Sequence, residues 1–83
     1  MTQNLTSIIS AIVQGGEGAL YVSEDGEATA LIRKLDERPG GYIVVWERTQ
    51  LHVGDITASH TAECPIKTVA LWIAVNRASV REI

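Results

Sequence analysis

The feature that most constrains the fold is the pair Asp25-Gly26, which lies between two apolar runs, ALYVS (residues 19–23) and ATALIRKL (residues 28–35). Asp-Gly is a strong signal for a tight β-hairpin turn of type I′, because both central residues of that turn need positive φ. A two-residue turn also fixes the register and pairs Val22 with Thr29. Both faces of the predicted hairpin are largely apolar, unlike those of a sheet with one solvated side.

Further strands are predicted after this hairpin. The loop DERPGG (residues 36–41) is followed by GYIVVWE (residues 41–47), a nearly continuous apolar run that is typical of a strand covered on both faces. A fourth strand is predicted at LHVGDIT (residues 51–57), in which Gly54 would mark a bulge or a bend. The segment SHTAEC (residues 59–64) is expected to be a loop, and the C-terminal tail is expected to fray or to add a short edge strand.

A helix is predicted at each end of these strands. In residues 2–14, apolar side chains recur at the spacing of one helical face: Leu5, Ile8, Ile9, Ile12 and Val13. Thr2 or Asn4 can cap this helix, and Gly15 or Gly16 can end it. A strand from Leu5 to Val13 is the competing interpretation. The second helix is expected to start at Pro65 and to end near Asn76 or Arg77, with a sheet-packing stripe formed by Ile66, Val69, Ala70 and Ile73.

The order of elements predicts the fold class. A helix, three or four antiparallel strands and a second helix allow both helices to pack on one face of the sheet. We therefore expect a two-layer α+β fold, in the order α-β-β-β-(β)-α, that occupies residues 1–83 as a single small domain. The other face of the sheet would then carry either Tyr42, Val44 and Trp46 or Ile43 and Val45.

Charge and cysteine content limit the classes of partner. The chain of 83 residues has a net charge of -3 and one cysteine, Cys64, and six acids fall within residues 17–37. Nucleic acid is not expected as a partner, because phosphate binding needs clustered Lys and Arg. A lone cysteine suits a reducing, cytoplasmic location. No apolar run approaches the roughly 20 residues that span a bilayer, so no membrane association is expected.

Four residues could carry chemistry because of their type. His52, Asp55, His60 and Cys64 fall within a short segment, and zinc accepts all four side chains. Their spacing follows no standard zinc pattern. Cys64 at a helix N-terminus could act as a thiolate nucleophile with His60 as its base, but no orienting group or oxyanion site accompanies them. We therefore expect no catalytic residue, no metal and no cofactor.

Surface features favour protein binding instead. The second helix carries seven apolar residues in a row, and its two sides cannot both face the sheet. Either the helix is covered twice within the domain, or it contributes to an interface. The predicted partner-binding residues combine the acidic loops with apolar and aromatic positions: Glu24, Asp25, Glu27, Asp36, Glu37, Tyr42, Trp46, Leu71, Trp72 and Val75.

The sequence thus predicts a small acidic factor that binds another protein, or itself as a homodimer, and acts stoichiometrically. Inhibitors, immunity or antitoxin factors and phage anti-defence proteins often have this size and charge. One alternative is a homo-oligomeric structural subunit of a larger assembly. Another alternative is a small metal-dependent or cysteine-dependent enzyme that uses His52, His60 and Cys64.

Overall fold

A computed structural model describes residues 4–53 and 55–81. The two helices are α1 (Leu5–Gly15) and α2 (Ile66–Asn76). The five strands are β1 (Leu20–Val22), β2 (Ala28–Arg38), β3 (Gly41–His52), β4 (Asp55–Pro65) and β5 (Ser79–Arg81). They form one antiparallel sheet in the order β4-β3-β2-β1-β5. The predicted α+β class, with a helix at each end of the strands, is confirmed.

α2 has the predicted bounds within one residue, and α1 follows Asn4, one of its two predicted caps, so it begins three residues after the start of the predicted range. The side chain of Asn4 caps α1 by accepting a hydrogen bond from the Ser7 N–H at 2.8 Å. Gly16 follows α1 with a φ of 70°, a conformation that glycine adopts without steric cost. Pro65 is the last residue of β4 and the N-cap of α2, one position earlier than a first-turn proline.

The first hairpin has the predicted register but a different turn. Val22 pairs with Thr29 and Leu20 pairs with Leu31, as the sequence indicates. The predicted type I′ turn is wrong, because Gly26 has positive φ and Asp25 does not. The Gly26 N–H instead donates to the Ser23 carbonyl at 2.9 Å, and the Asp25 carboxylate accepts from the Glu27 N–H at 2.9 Å. This side-chain acceptor stabilises a four-residue loop in place of the two-residue turn.

The second half of the sheet differs from the sequence prediction. LHVGDIT is not a separate strand, because β3 continues through residues 47–50 to His52, and β4 starts at Asp55. SHTAEC is not a loop, because it lies inside β4. The reason is that β4 is an edge strand whose first seven residues are all exposed, so burial imposes no alternating pattern on its sequence. Gly54 and its predicted bulge or bend lie outside the described residues, as does Thr2.

The core lies between one face of the sheet and the two helices. Ile12, Ile32, Val44 and Val69 are its largest fully buried side chains. The stripe predicted on α2 is confirmed, since Ile66, Val69, Ala70 and Ile73 are the buried residues of that helix. All core residues on β2 and β3 point to the same side, so both helices cover this face. The opposite face of the sheet has no covering element among residues 4–53 and 55–81.

Candidate functional site

The uncovered face of the sheet, which we call the open face, carries no helix within residues 4–53 and 55–81. Strand alternation and the observed register place aliphatic side chains from β1, β2 and β3 on it: Leu20, Val22, Leu31, Ile43 and Val45. These side chains are partly exposed, because they shield one another while no helix covers them. The structure therefore assigns Ile43 and Val45 to the open face, and Val44 and Trp46 to the core.

Charged residues frame this apolar patch. Lys34 and Glu63 lie on either side of Val45 in register, and Glu47 lies beside Leu31. Along β2, the Asp36 carboxylate lies 3.6 Å from the Lys34 ammonium group and 3.6 Å from the Arg38 guanidinium group. Such exposed ion pairs add little stability. They do leave the rim of the open face mixed in sign rather than acidic.

The predicted acidic residues fall at the two ends of β2. Glu24, Asp25 and Glu27 lie on the loop before the strand, and Asp36 and Glu37 lie near its other end. The two groups are about 30 Å apart by strand rise, so they do not form one patch. The Glu24 carboxylate lies 3.6 Å from the Arg77 guanidinium group. The Ser23 hydroxyl, and then the Glu27 backbone N–H, hold the pKa of Asp25 below its usual value.

The predicted aromatic residues lie on the helix side of the sheet. Trp46 is 3% exposed and belongs to the core, so it offers no surface to a partner in the chain as described. Trp72 packs edge-on against it, with ring centroids 6.0 Å apart and an interplanar angle of 89°. Tyr42 is partly buried against the same core. Trp72 is partly buried as well, and its remaining surface lines an open concavity.

Two predicted residues of α2 are exposed to solvent. Leu71 is 46% exposed and Val75 is 79% exposed, although the sheet and α1 cover the other sides of the helix. The alternative in which the whole helix is buried inside the domain is therefore wrong for these two residues. They do not adjoin the open face, which lies on the far side of the sheet.

Of the four residues of possible chemistry, His52 and Asp55 face each other as partners on β3 and β4, and the other two do not join them. His60 and Cys64 lie four residues apart on β4, about 13 Å by strand rise, which is too far for a shared proton or metal ion. Among the described residues, no three His, Cys, Asp or Glu side chains cluster as a metal would require. Burial raises the pKa of the Cys64 thiol, and the nearby Arg48 charge offsets this in part. A raised pKa lowers the thiolate fraction and with it the reactivity of the cysteine.

Several residues of interest were not singled out from the sequence. Leu20 and Leu31 carry only the signal of strand residues, because which face the helices cover depends on tertiary packing; Ile43 and Val45 form one of the two predicted sets for the open face. Arg48 lies with its guanidinium carbon 5.0 Å from the Trp46 ring centroid. The signal for this contact was present, since residues i and i+2 of a strand share a face.

Comparisons of the chain with family models, with curated proteins and with solved structures find no match. The described helices have eleven residues each, and neither could cross a membrane. The surfaces themselves are therefore the basis for inferring what the protein does.

Proposed function

We propose that this protein is a stoichiometric protein-binding factor that docks through the open face of its sheet onto an apolar surface of another protein. The uncovered aliphatic patch on β1, β2 and β3 carries the proposal. On this face Leu20, Val22 and Leu31 form one aliphatic group and Ile43 and Val45 a second, with Lys34, Glu47 and Glu63 beside them. Monomeric proteins rarely leave large apolar areas exposed unless these serve an interface. Covering it would contribute on the order of 25 cal/mol per Å² of apolar area removed from water.

The rim of the open face supports a partner with both charge signs at its contact. The basic Lys34 and the acidic Glu47 and Glu63 surround Val45, so no single charge sign dominates the docking surface. The acidic loop at Glu24, Asp25 and Glu27 lies at one end of the sheet. Its negative charge would attract a basic partner during the encounter and would not contact that partner in the docked complex.

A second candidate function is the homo-oligomeric subunit, in which two copies meet on their open faces. One observation favours it. Outside the bulge at Arg33, the open face carries three bases and three acids by register, namely Lys34, Arg38, Arg81, Asp36, Glu47 and Glu63. Two such faces do not repel each other, although the chain as a whole has a net charge of -3.

The test places a charge on the open face. Val45→Glu replaces an aliphatic side chain of the open face by a carboxylate, and Val75→Glu makes the same change on the exposed side of α2. Each variant and the wild type serve as bait in a host lysate, and the mass of each purified complex is measured by light scattering. We expect wild type and Val75→Glu to form the same complex in a fixed ratio, and Val45→Glu to lose it.

The outcomes separate the candidates. A wild-type mass of two chains that falls to one chain in Val45→Glu, with no captured protein, would support the homo-oligomer and overturn the heterologous partner. Equal capture by all three baits would overturn docking on the open face. If Val45→Glu does not fold, Thr49→Glu on the same face is used instead, because it replaces a side chain that is already polar. Loss of the complex in that variant then tests docking on the open face.

A further inference from the structure

A concavity of about 180 Å³ lies on the helix side of the sheet, beside Trp72. It exists because the helices are short and the floor residues are small. An eleven-residue helix is about 16 Å long, whereas strands of eleven or twelve residues reach about 37 Å. The ends of β2, β3 and β4 therefore extend past α2. On that exposed part of the floor, Ala28 and Ala58 flank Gln50 in register and leave room above the sheet.

The charge of the concavity is opposite to that of the chain. Arg48 lines it, and so does His60, its neighbour in register on β4. None of the described residues that line it is acidic, although the chain contains ten Asp and Glu residues. Within the part of the chain that the structure describes, ion pairs are made by Lys34, Arg38 and Arg77, so Arg48 has no carboxylate partner there.

The donors of the concavity are held in place. The Arg48 guanidinium group lies 5.0 Å from the Trp46 ring centroid, and Trp46 is fixed in the core by its own contact with Trp72. A cation over an aromatic face gains electrostatic stabilisation and loses little of its hydrogen-bonding capacity at the exposed edge. The Gln50 side-chain amide donates to the Glu27 carbonyl at 3.2 Å, which orients that amide as well.

The size and shape of the concavity limit the ligand. Sites for drug-sized molecules occupy about 300–1,000 Å³, so this smaller space suits a ligand of one ring. The Trp72 side chain supplies an aromatic wall, and a guanidinium fork pairs with a planar carboxylate through two parallel hydrogen bonds. We propose that the concavity bounded by Arg48, His60 and Trp72 binds a small aromatic monocarboxylate.

The test compares two probes that differ in charge and hardly in shape. Benzoate carries the carboxylate, and benzamide has the same ring with a neutral amide. Each is titrated into the ¹⁵N-labelled protein, and the indole N–H of Trp72 and the backbone amides of Arg48 and His60 are followed by NMR. We expect saturable shifts with benzoate and binding of benzamide that is about tenfold weaker or more, because a charge-assisted pair is lost.

Variants then locate the charge that benzoate recognises. Arg48→Gln should remove the preference for benzoate over benzamide. Arg38→Gln, at the far end of β2, should keep it. Arg48→Lys keeps the charge without the fork and should bind benzoate with intermediate affinity. If Arg48→Gln does not fold, the comparison of benzoate with benzamide and the Arg48→Lys variant still test the site.

Two results would overturn the site. One is equal binding of benzoate and benzamide by the wild type, and the other is an unchanged preference in folded Arg48→Gln. The concavity is lined in part by Thr49, which also belongs to the open face, whereas Val45 does not line it. Val45→Glu, which alters only the open face, should bind benzoate as the wild type does, so the two proposals fail separately.

Discussion

At the scale of single residues, Val53 is the most unusual position in the described chain. It has a φ of 53°, in the left-handed region, and its side chain is 86% exposed. A β-branched residue in this conformation places its Cβ against the backbone, and little burial compensates for that contact. The residue therefore holds the tip of the β3–β4 hairpin at a cost to stability.

We expect Val53→Asn to stabilise the protein by about 1 kcal/mol, because asparagine tolerates the left-handed region. For a domain of this size, that corresponds to a rise in melting temperature of roughly 4–8 °C. The matched control is Val75→Asn, at an exposed valine in right-handed helical conformation, where valine and asparagine have similar helix propensity. A calorimetric Tm that rises equally in both variants, or in neither, would contradict the strain assigned to Val53.

At the scale of elements, the sequence was informative wherever burial imposes a period. The stripe of α2 follows from the 3.6-residue period of a buried face. The register of the first hairpin is predicted from a two-residue turn that the structure does not have, and it is preserved because the four-residue loop is centred on the same Asp25-Gly26 pair. The strand β4 escaped prediction because none of Asp55–Thr61 is buried, and the apolar Val53 and Ile56 near its start are exposed as well. For the proposed binding surfaces, residue type alone is enough to predict the acidic loops and Trp72 as candidates. The open face and the Arg48 concavity depend on where the helices end, which no local pattern records.

The burial of one face of α1 can be tested by substitution. Ile12 is fully buried on the helix, whereas Ile9 on the neighbouring position of the same stripe is only partly buried. We expect Ile12→Ala to cost about 2–5 kcal/mol of unfolding free energy, the usual range for opening a cavity in a core. Ile9→Ala should cost clearly less. Urea titrations of both variants would measure this, and equal losses would show that α1 is not oriented as described.

At the scale of the whole molecule, the two proposed binding surfaces lie mainly on opposite faces of the sheet. The helix-covered face builds the core and leaves the Arg48 concavity where the strands extend past α2. The open face combines aliphatic side chains with three bases and three acids whose charges balance. The excess of acids therefore lies elsewhere, largely on the Glu24–Glu27 loop and at positions such as Glu17 and Glu37. Long-range attraction of a basic partner and short-range docking would thus use different parts of the surface.

The strand order predicts that local opening of backbone hydrogen bonds differs from strand to strand. β3 is paired on both sides, and its Val44 is fully buried, whereas β4 is an edge strand with its first seven residues exposed. Protection from hydrogen exchange follows the free energy of local opening, so amides around Val44 should exchange slowest and those of Asp55–Thr61 much faster. Exchange measured at a concentration where the mass is that of one chain tests this expectation, and a second measurement at a higher concentration tests for association. If Asp55–Thr61 were as protected as Val44 in such a sample, β4 would not be an exposed edge. If its protection rose with concentration in wild type and not in Val45→Glu, the open face would be bringing two copies together.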